Sequence, residues 1–159
     1  MSTRHLEQSR TYPLSVEDAY DRVLPMPLTD LFDKRYLAIA PIAAVEGQDG
    51  VWGDSVGQTR TIKLKDGGTM LEALTVIERP TRFGYSMSNI KGPLKPLVSA
   101  ANGLWSFAPD GAGTRITWAW DVTPRGVIGK IGMPIFAKLW NGYARQALAR
   151  LEALLAPNP

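Results

Sequence analysis

Residues 55–78, SVGQTRTIKLKDGGTMLEALTVIE, decide the fold class of this chain. From Ser55 to Leu64 the side chains alternate in character, which is typical of a strand with one buried face. Lys65-Asp-Gly-Gly68 follows, and its glycines accept the positive φ angles that a tight turn requires. Thr69 to Glu78 then returns as a second strand. The stretch therefore predicts an antiparallel hairpin.

Short strands and turns continue on both sides of this hairpin. A period of two begins near Ala43, and Arg79-Pro80-Thr81 is a further turn. Three more strands are predicted, at Arg82 to Ser88, Ala100 to Ala108 and Thr114 to Val122. A proline-rich loop, Asn89 to Leu97, interrupts them and is either a lid over a cavity or a stiff connector. The turn spacing predicts an antiparallel meander rather than alternating βα units.

Before the meander, a first strand and two short helices are predicted. Leu6 to Tyr12 reads as the strand. Ser15-Val-Glu-Asp18 resembles a capping box that opens a helix through about Leu24. Pro27 is placed to open a second helix through Phe32.

A long amphipathic helix follows the meander. Its apolar residues recur at helical spacing on one face: Phe136, Leu139, Trp140, Tyr143, Ala147, Leu151 and Leu154. The pattern leaves open whether Pro134 starts this helix or kinks it.

The composition is that of a globular protein, with 45% hydrophobic and 21% charged residues, and this excludes a disordered or fibrous chain. We expect a single domain over residues 1–156 and a flexible tail at 157–159. The N-terminal residues contain no apolar signal region, and nowhere do eighteen apolar residues run without a charge. We therefore expect a cytoplasmic protein with no stable membrane insertion.

The residue types also exclude several kinds of site. The chain has no cysteine, and its one histidine is His5, so we expect no metal site, no cofactor and no Ser-His-Asp or Cys-His catalytic unit. The glycine motifs lack the spacing of a phosphate-binding loop. A net charge of +3 is too small to imply nucleic acid as a partner. We predict no exposed apolar stripe that would mark a protein interface.

Several motifs, in this order, carry a resemblance to a known superfamily: Val56-Gly-Gln-Thr-Arg-Thr-Ile62, Asp66-Gly-Gly-Thr69 with Glu72, Glu78-Arg-Pro with Phe83-Gly-Tyr85, Trp105-Ser-Phe107, and Gly113-Thr-Arg-Ile-Thr-Trp118. With the flanking helices, the chain resembles the START-like, or helix-grip, superfamily, in its polyketide cyclase/dehydrase or SRPBCC branch. The resemblance implies an α+β fold in which a curved antiparallel sheet of six to seven strands wraps around the long C-terminal helix. It also implies a pocket for an apolar or amphipathic ligand between sheet and helix.

Alternation predicts which strand residues face such a pocket. Arg60 is placed inward with Ile62 and Leu64, because the other face of that strand is polar. Both faces of the returning strand are rather apolar. There the resemblance to plant hormone receptors of the superfamily implies that Glu72, and Leu74 with it, points inward.

Arg60 and Glu72 have two interpretations. In the first, the two residues are structural. They form a salt bridge, because buried opposite charges are expected to pair, or they form an exposed pair on the convex face. Alternatively they are polar anchors that orient a ligand within an apolar cavity.

Aromatic and apolar residues elsewhere complete the candidate ligand-binding set: Tyr85, Met87, Trp118, Trp120, Phe136, Trp140 and Tyr143. Core packing is the alternative role for each of them. The facing of Trp105, Phe107 and Trp118 stays open, because Trp105 and Trp118 could also pair on the convex face.

Two functions are compatible with this pattern. The first is binding, with or without carriage, of a small hydrophobic or amphipathic molecule such as a lipid or a polyketide-like metabolite. The alternative is a metal-free cyclase or dehydratase-like enzyme, for which Arg60, Glu72 and Tyr85 are the candidate catalytic residues. The sequence leaves the ligand, the reaction and the oligomeric state open.

Overall fold

The computed structural model describes residues 2–156, so the predicted tail at 157–159 lies outside the described residues. The strands are β1 (Arg4–Tyr12), β2 (Ile42–Glu46), β3 (Thr59–Leu64), β4 (Thr69–Glu78), β5 (Arg82–Lys91), β6 (Val98–Asp110) and β7 (Gly113–Pro124). The helices are α1 (Val16–Val23), α2 (Leu28–Leu31) and α3 (Gly126–Leu155).

The seven strands form one curved antiparallel sheet in the order β1-β7-β6-β5-β4-β3-β2. It is a meander from β2 to β7, and β1 pairs with β7 over its whole length. Helix α3 packs against β1 and β7. The Tyr12 hydroxyl of β1 donates a hydrogen bond of 2.6 Å to the carbonyl of Leu148 in α3. The predicted α+β helix-grip architecture, with two short helices after the first strand, is confirmed.

Helix α1 begins directly after its predicted capping serine, whereas Pro27, predicted as the first residue of the second helix, lies one position before α2. The Ser15 side chain accepts a hydrogen bond of 3.1 Å from the backbone N–H of Asp18, and Pro27 is the N-cap of α2.

Helix α3 is longer than the apolar face alone suggests. It begins at Gly126 and contains Pro134 in its interior. Its 30 residues span about 45 Å at ~1.5 Å per residue.

Strand β3 begins later than predicted, at Thr59 instead of Ser55. The reason is the side chain of Gln58, whose Oε1 accepts hydrogen bonds from the backbone N–H groups of Gly53, Asp54 and Ser55. These bonds stabilise a compact turn where the alternation suggested a strand, because the backbone donors are satisfied locally.

The first turns of α3 carry exposed aliphatic side chains, contrary to the prediction of no exposed apolar stripe. Val127, Ile128, Ile131 and Ile135 are 68–74% exposed, and we call them the aliphatic stripe. The buried positions of these turns are Gly129 and Met133, which lie on the opposite side of the helix. The branched apolar residues of the stripe therefore remain in water. Within residues 2–156 no helix has the length and hydropathy needed to span a membrane.

His5 lies within β1 and contacts two carboxylates. Its Nδ1 is 2.7 Å from Asp121 Oδ1, and its Nε2 is 2.7 Å from Glu7 Oε1. Both ring nitrogens donate only when the imidazole is protonated. The hydrogen bonds with Glu7 and then Asp121 raise the pKa of His5 above its ordinary value of 6.5.

We expect His5 to titrate above pH 6.5 in an NMR titration of the folded protein, where it gives the only histidine signal. Because the folded pKa is raised, the stabilisation from protonated His5 is fully present below about pH 6.5 and is lost as the pH rises through the folded pKa. A variant carrying Glu7→Gln and Asp121→Asn is expected to return the pKa towards its ordinary value. An unchanged pKa in that variant would show that these carboxylates do not cause the shift.

Candidate functional site: a cavity between sheet and helix

A cavity of about 210 Å³ lies between the sheet and α3. Its lining is mostly aliphatic and aromatic and comes from the two short helices, the six strands β2 to β7, α3 and the loops between them. Ala38, Asp66 and Pro93 are lining residues that are themselves exposed, so the cavity meets solvent among these loops. About 10–15 Å³ is enough for one water molecule, so the core of this protein is incompletely filled.

Arg60 and Glu72 form a buried ion pair at the cavity wall. They are directly opposite each other on β3 and β4, and Arg60 Nε donates a hydrogen bond of 2.6 Å to Glu72 Oε1. Each side chain is only 4% exposed. Burial raises the pKa of Glu72 above its ordinary value, and the charge and hydrogen bond of Arg60 oppose that rise.

Two residues of the loop after β2 complete the surroundings of Arg60. The guanidinium carbon lies 3.8 Å from the ring centroid of Trp52, a cation–π contact. Arg60 Nη1 donates a hydrogen bond of 3.2 Å to Gln48 Oε1. Trp52 also lines the cavity, and the sequence reasoning missed it because it lies in a glycine-rich turn without periodicity. The residue type could have indicated this role, because a tryptophan in a turn has a large side chain that is expected to cover apolar surface.

Tyr85 accepts two hydrogen bonds within the cavity wall. The indole nitrogens of Trp118 and Trp120 each donate to its hydroxyl at 2.8 Å. A phenol that accepts two bonds keeps its own O–H as a donor. Burial, and then the charge of Glu72, raise the pKa of Tyr85 above its ordinary value, so the phenol is neutral at pH 7. The arrangement leaves a polarised phenol O–H in the wall of an apolar cavity.

Gly103 makes the position of Tyr85 possible. It lies directly opposite Tyr85 on β6, and a Cβ at Gly103 would come within 2.1 Å of the Tyr85 ring. The phenol therefore lies across the backbone of the neighbouring strand, and any larger residue at this position would displace it.

The indole nitrogen of Trp140 is a further donor at the cavity. Trp140 of α3 lines the cavity and is 2% exposed, yet its Nε1 makes no hydrogen bond with any residue in the described range 2–156. An unsatisfied buried donor costs about 1–3 kcal/mol. The indole is held by packing, with its ring centroid 4.9 Å from that of Trp118 and 6.0 Å from that of Trp120.

Eleven of the twelve residues predicted to bind a ligand border this cavity: Arg60, Ile62, Leu64, Glu72, Tyr85, Met87, Trp118, Trp120, Phe136, Trp140 and Tyr143. Their role in binding a ligand stays a prediction. Leu74 is the exception: it is 1% exposed but does not border the cavity. It pairs with the turn before β3 through its backbone, and the register of β4 shifts directly after it, so it is buried in the core outside the cavity lining.

The structure also shows which face of the sheet carries Trp105, Phe107 and Trp118, which the sequence left open. Trp105 and Trp118 pair on the concave face, with stacked rings 5.4 Å apart, and both line the cavity. Phe107 is buried but does not border it. Phe32, which sequence reasoning missed, stacks on Tyr143 at 5.4 Å and contributes from the end of α2. Pro93, Leu94 and Leu97 bring the proline-rich loop to the edge of the cavity.

A seven-stranded sheet that grips a long helix and leaves an apolar cavity defines this chain as a helix-grip protein. The model of the family described as polyketide cyclase/dehydrase and lipid transport matches residues 3–156. The chain belongs to this family, and the resemblance inferred from its motifs is confirmed. No curated protein matches the sequence.

Solved structures share the fold at low sequence identity. A protein from Nitrosospira multiformis is 18% identical with a TM-score of 0.69, covering 96% of this chain and 97% of that one. Ginseng major latex-like protein 151 from Panax ginseng is 14% identical with a TM-score of 0.71, covering 99% and 100%. A protein from Thermus thermophilus is 18% identical with a TM-score of 0.66, covering 94% and 95%. At these identities the likeness shows the fold alone.

Proposed function

We propose that this protein binds a small hydrophobic or amphipathic molecule in the cavity between sheet and α3, with or without carrying it between sites. The observation that carries the proposal is an apolar cavity of about 210 Å³ with a few polar groups in its wall. Ligand sites typically combine an apolar lining with a small number of well-placed polar groups. The family description, which includes lipid transport, supports the same class of ligand.

The polar groups favour a ligand that carries hydrogen-bond acceptors. Arg60 uses Nε for Glu72 and Nη1 for Gln48, so further guanidinium N–H donors remain for a bound group. The Tyr85 hydroxyl retains its own donor, and Trp140 Nε1 has no acceptor among residues 2–156. A carbonyl, hydroxyl or carboxylate of a ligand would satisfy these donors. The proposed polar anchors are therefore the donors Arg60, Tyr85 and Trp140, together with Glu72, which accepts from Arg60 and positions it.

The volume favours a compact ligand. Sites for drug-sized molecules usually measure about 300–1,000 Å³, and this cavity of about 210 Å³ lies below that range. A small ring system or a single short acyl chain fits it better than a two-chain lipid, which would need the cavity to widen.

The test is binding of anilinonaphthalene sulfonate, an amphipathic probe, together with native mass spectrometry of the freshly purified protein. All five tryptophans line the cavity, so energy transfer from tryptophan reports on a probe bound there. We expect one saturable site in the wild type. Leu139→Trp is expected to weaken binding about ten-fold or more, because Leu139 borders the cavity and an indole would occupy its volume.

The matched control is Leu154→Trp, at a half-buried leucine of the same helix that does not border the cavity. It is expected to bind the probe as the wild type does. Equal binding by Leu139→Trp and the wild type would overturn the proposal, as would a wild type that binds neither probe nor copurified molecule. The variant Arg60→Met/Glu72→Leu removes two of the four polar anchors without leaving one charge unpaired, and it is expected to bind more weakly while remaining folded.

A second candidate function, a cyclase or dehydratase-like reaction, is favoured by one observation. Tyr85 is a donor polarised by two indoles, and Glu72, whose pKa burial raises, lies in the same wall. Such a pair can protonate a carbonyl and remove a proton from a neighbouring carbon. In the same experiments, the molecules that copurify with the wild type and with Tyr85→Phe are compared. A chemically altered molecule from the wild type but not from Tyr85→Phe would favour the enzyme. The same unaltered molecule from both proteins would favour binding alone.

A further inference from the structure

The aliphatic stripe is a continuous surface on the first turns of α3. At 3.6 residues per turn, Val127, Ile128, Ile131 and Ile135 fall within about 100° of the helix circumference. Each is at least 68% exposed. Exposed apolar residues are common singly, but a contiguous group marks a surface that contacts something other than water.

Positive charge surrounds this stripe. Lys130 and Lys138 lie on the same helix, and Arg125 and Lys95 lie at its start and on the neighbouring loop. The chain contains no acidic residue from Val122 to Leu151. The surface around the stripe therefore matches an anionic partner, and the long stems of the lysines can lie along apolar material while their amines stay in water.

The stripe leads directly to the cavity. Leu139 follows Ile135 by four residues, so the two are neighbours on the helix surface, and Leu139 borders the cavity. On the same side of the stripe as Leu139, the loop at 92–97 packs against α3, since a Cβ at Gly132 would come within 2.6 Å of the Leu97 side chain. Leu97 and Leu94 also border the cavity. Apolar surface thus extends from the exposed stripe to the cavity edge.

We propose that the aliphatic stripe docks this protein on an anionic lipid surface, with the edge of the cavity between Leu139 and the 92–97 loop held against the membrane. Docking rests on the stripe and the surrounding charges. Only its consequence, that a ligand exchanges between cavity and membrane without crossing water, rests on the proposed function.

The chemistry of the surface favours lipid over a second copy of this chain. A symmetric contact through the stripe would bring Lys130 and Lys138 of both copies together, with no carboxylate on this part of the helix to compensate. The stripe is also purely aliphatic, whereas the central residues of protein interfaces are enriched in Trp, Tyr and Arg. Valine and isoleucine have no polar tip that needs a partner, so they enter the acyl region of a bilayer without an unsatisfied group.

The test is co-sedimentation of the full chain with vesicles of phosphatidylcholine alone and of phosphatidylcholine mixed with phosphatidylglycerol. We expect binding to the anionic vesicles at low ionic strength, weakening as salt is added. Ile131→Gln/Ile135→Gln is expected to lower this affinity about ten-fold or more. Lys130→Gln/Lys138→Gln is expected to lower it about 30-fold, at ~1 kcal/mol per lysine near an anionic surface.

Val51→Gln/Val56→Gln is the matched control, because these residues are 68% and 59% exposed but lie in the loop between β2 and β3 and not on α3. It is expected to bind vesicles as the wild type does. Glutamine is at least as good a helix former as isoleucine, so the α3 variant is expected to fold, and circular dichroism checks this.

The proposal is overturned if the wild type does not bind anionic vesicles, or if the α3 isoleucine variant binds them as well as the wild type. It is also overturned if that variant converts a dimer to a monomer in light scattering while the wild type ignores vesicles, which would make the stripe a contact between copies. Probe binding measured without vesicles tests the cavity separately. If vesicle binding is absent while probe binding is present, the docking proposal fails. If probe binding is absent while vesicle binding is present, the proposed function fails.

Discussion

Replacing Glu72 with alanine is expected to lower the free energy of unfolding by about 3 kcal/mol. The substitution leaves the guanidinium of Arg60 buried opposite an alanine, and both side chains of the pair are 4% exposed in the wild type. The cation–π contact with Trp52 and the hydrogen bond to Gln48 remain, but neither supplies the missing negative charge. Urea denaturation at pH 7, monitored by tryptophan fluorescence, measures the change.

Two further variants make this expectation specific. Arg60→Met/Glu72→Leu removes both charges and is expected to be clearly more stable than Glu72→Ala, because a buried ion pair replaced by apolar residues of similar size often costs little. Glu78→Ala breaks the exposed pair between Glu78 and Arg82 and is expected to change stability little, because water screens exposed ion pairs. A Glu72→Ala protein as stable as Glu78→Ala would mean that the Arg60–Glu72 pair is hydrated in solution.

Replacing Leu151 with alanine is expected to lower the free energy of unfolding by about 2–5 kcal/mol. Leu151 lies in α3, is fully buried and belongs to the filled part of the core. The substitution removes apolar contacts and leaves a new void, and both terms are unfavourable. The same denaturation measurement applies.

Leu139→Ala is the matched comparison, since it makes the same substitution in the same helix at a residue that borders the cavity. Leu139 is half-buried, and shortening it enlarges a space that is already present. We therefore expect a much smaller loss of stability than for Leu151→Ala. Equal losses at the two positions would mean that side-chain rearrangement fills the cavity in solution.

The fold could be predicted from local features of the sequence. The hairpin at 55–78, the capping serine at residue 15 and the apolar face of the terminal helix each specify a local conformation through period, turn chemistry or capping. Their order then leaves few arrangements of the sheet and the helix. Strand parity also placed Arg60 inward, because β3 has one plainly polar face.

Other features depended on residues distant in the sequence. Trp52 lines the cavity because its turn folds over Arg60, and no periodic pattern indicates this. Leu74 has the parity of a cavity residue, but the pairing and irregular register around it bury it elsewhere. The exposure of the aliphatic stripe depends on which side of α3 packs against the rest of the protein, and that side carries Gly129 and Met133.

The sequence by itself thus determined the elements of this protein, their order and the inward side of a strand such as β3 that has one plainly polar face, because these follow from interactions between near neighbours in the chain. Only the tertiary structure decided that the interior retains a cavity, which polar groups meet in its wall and which apolar residues remain outside. These properties depend on the volume left between packed elements, and that volume is fixed by contacts across the whole sheet.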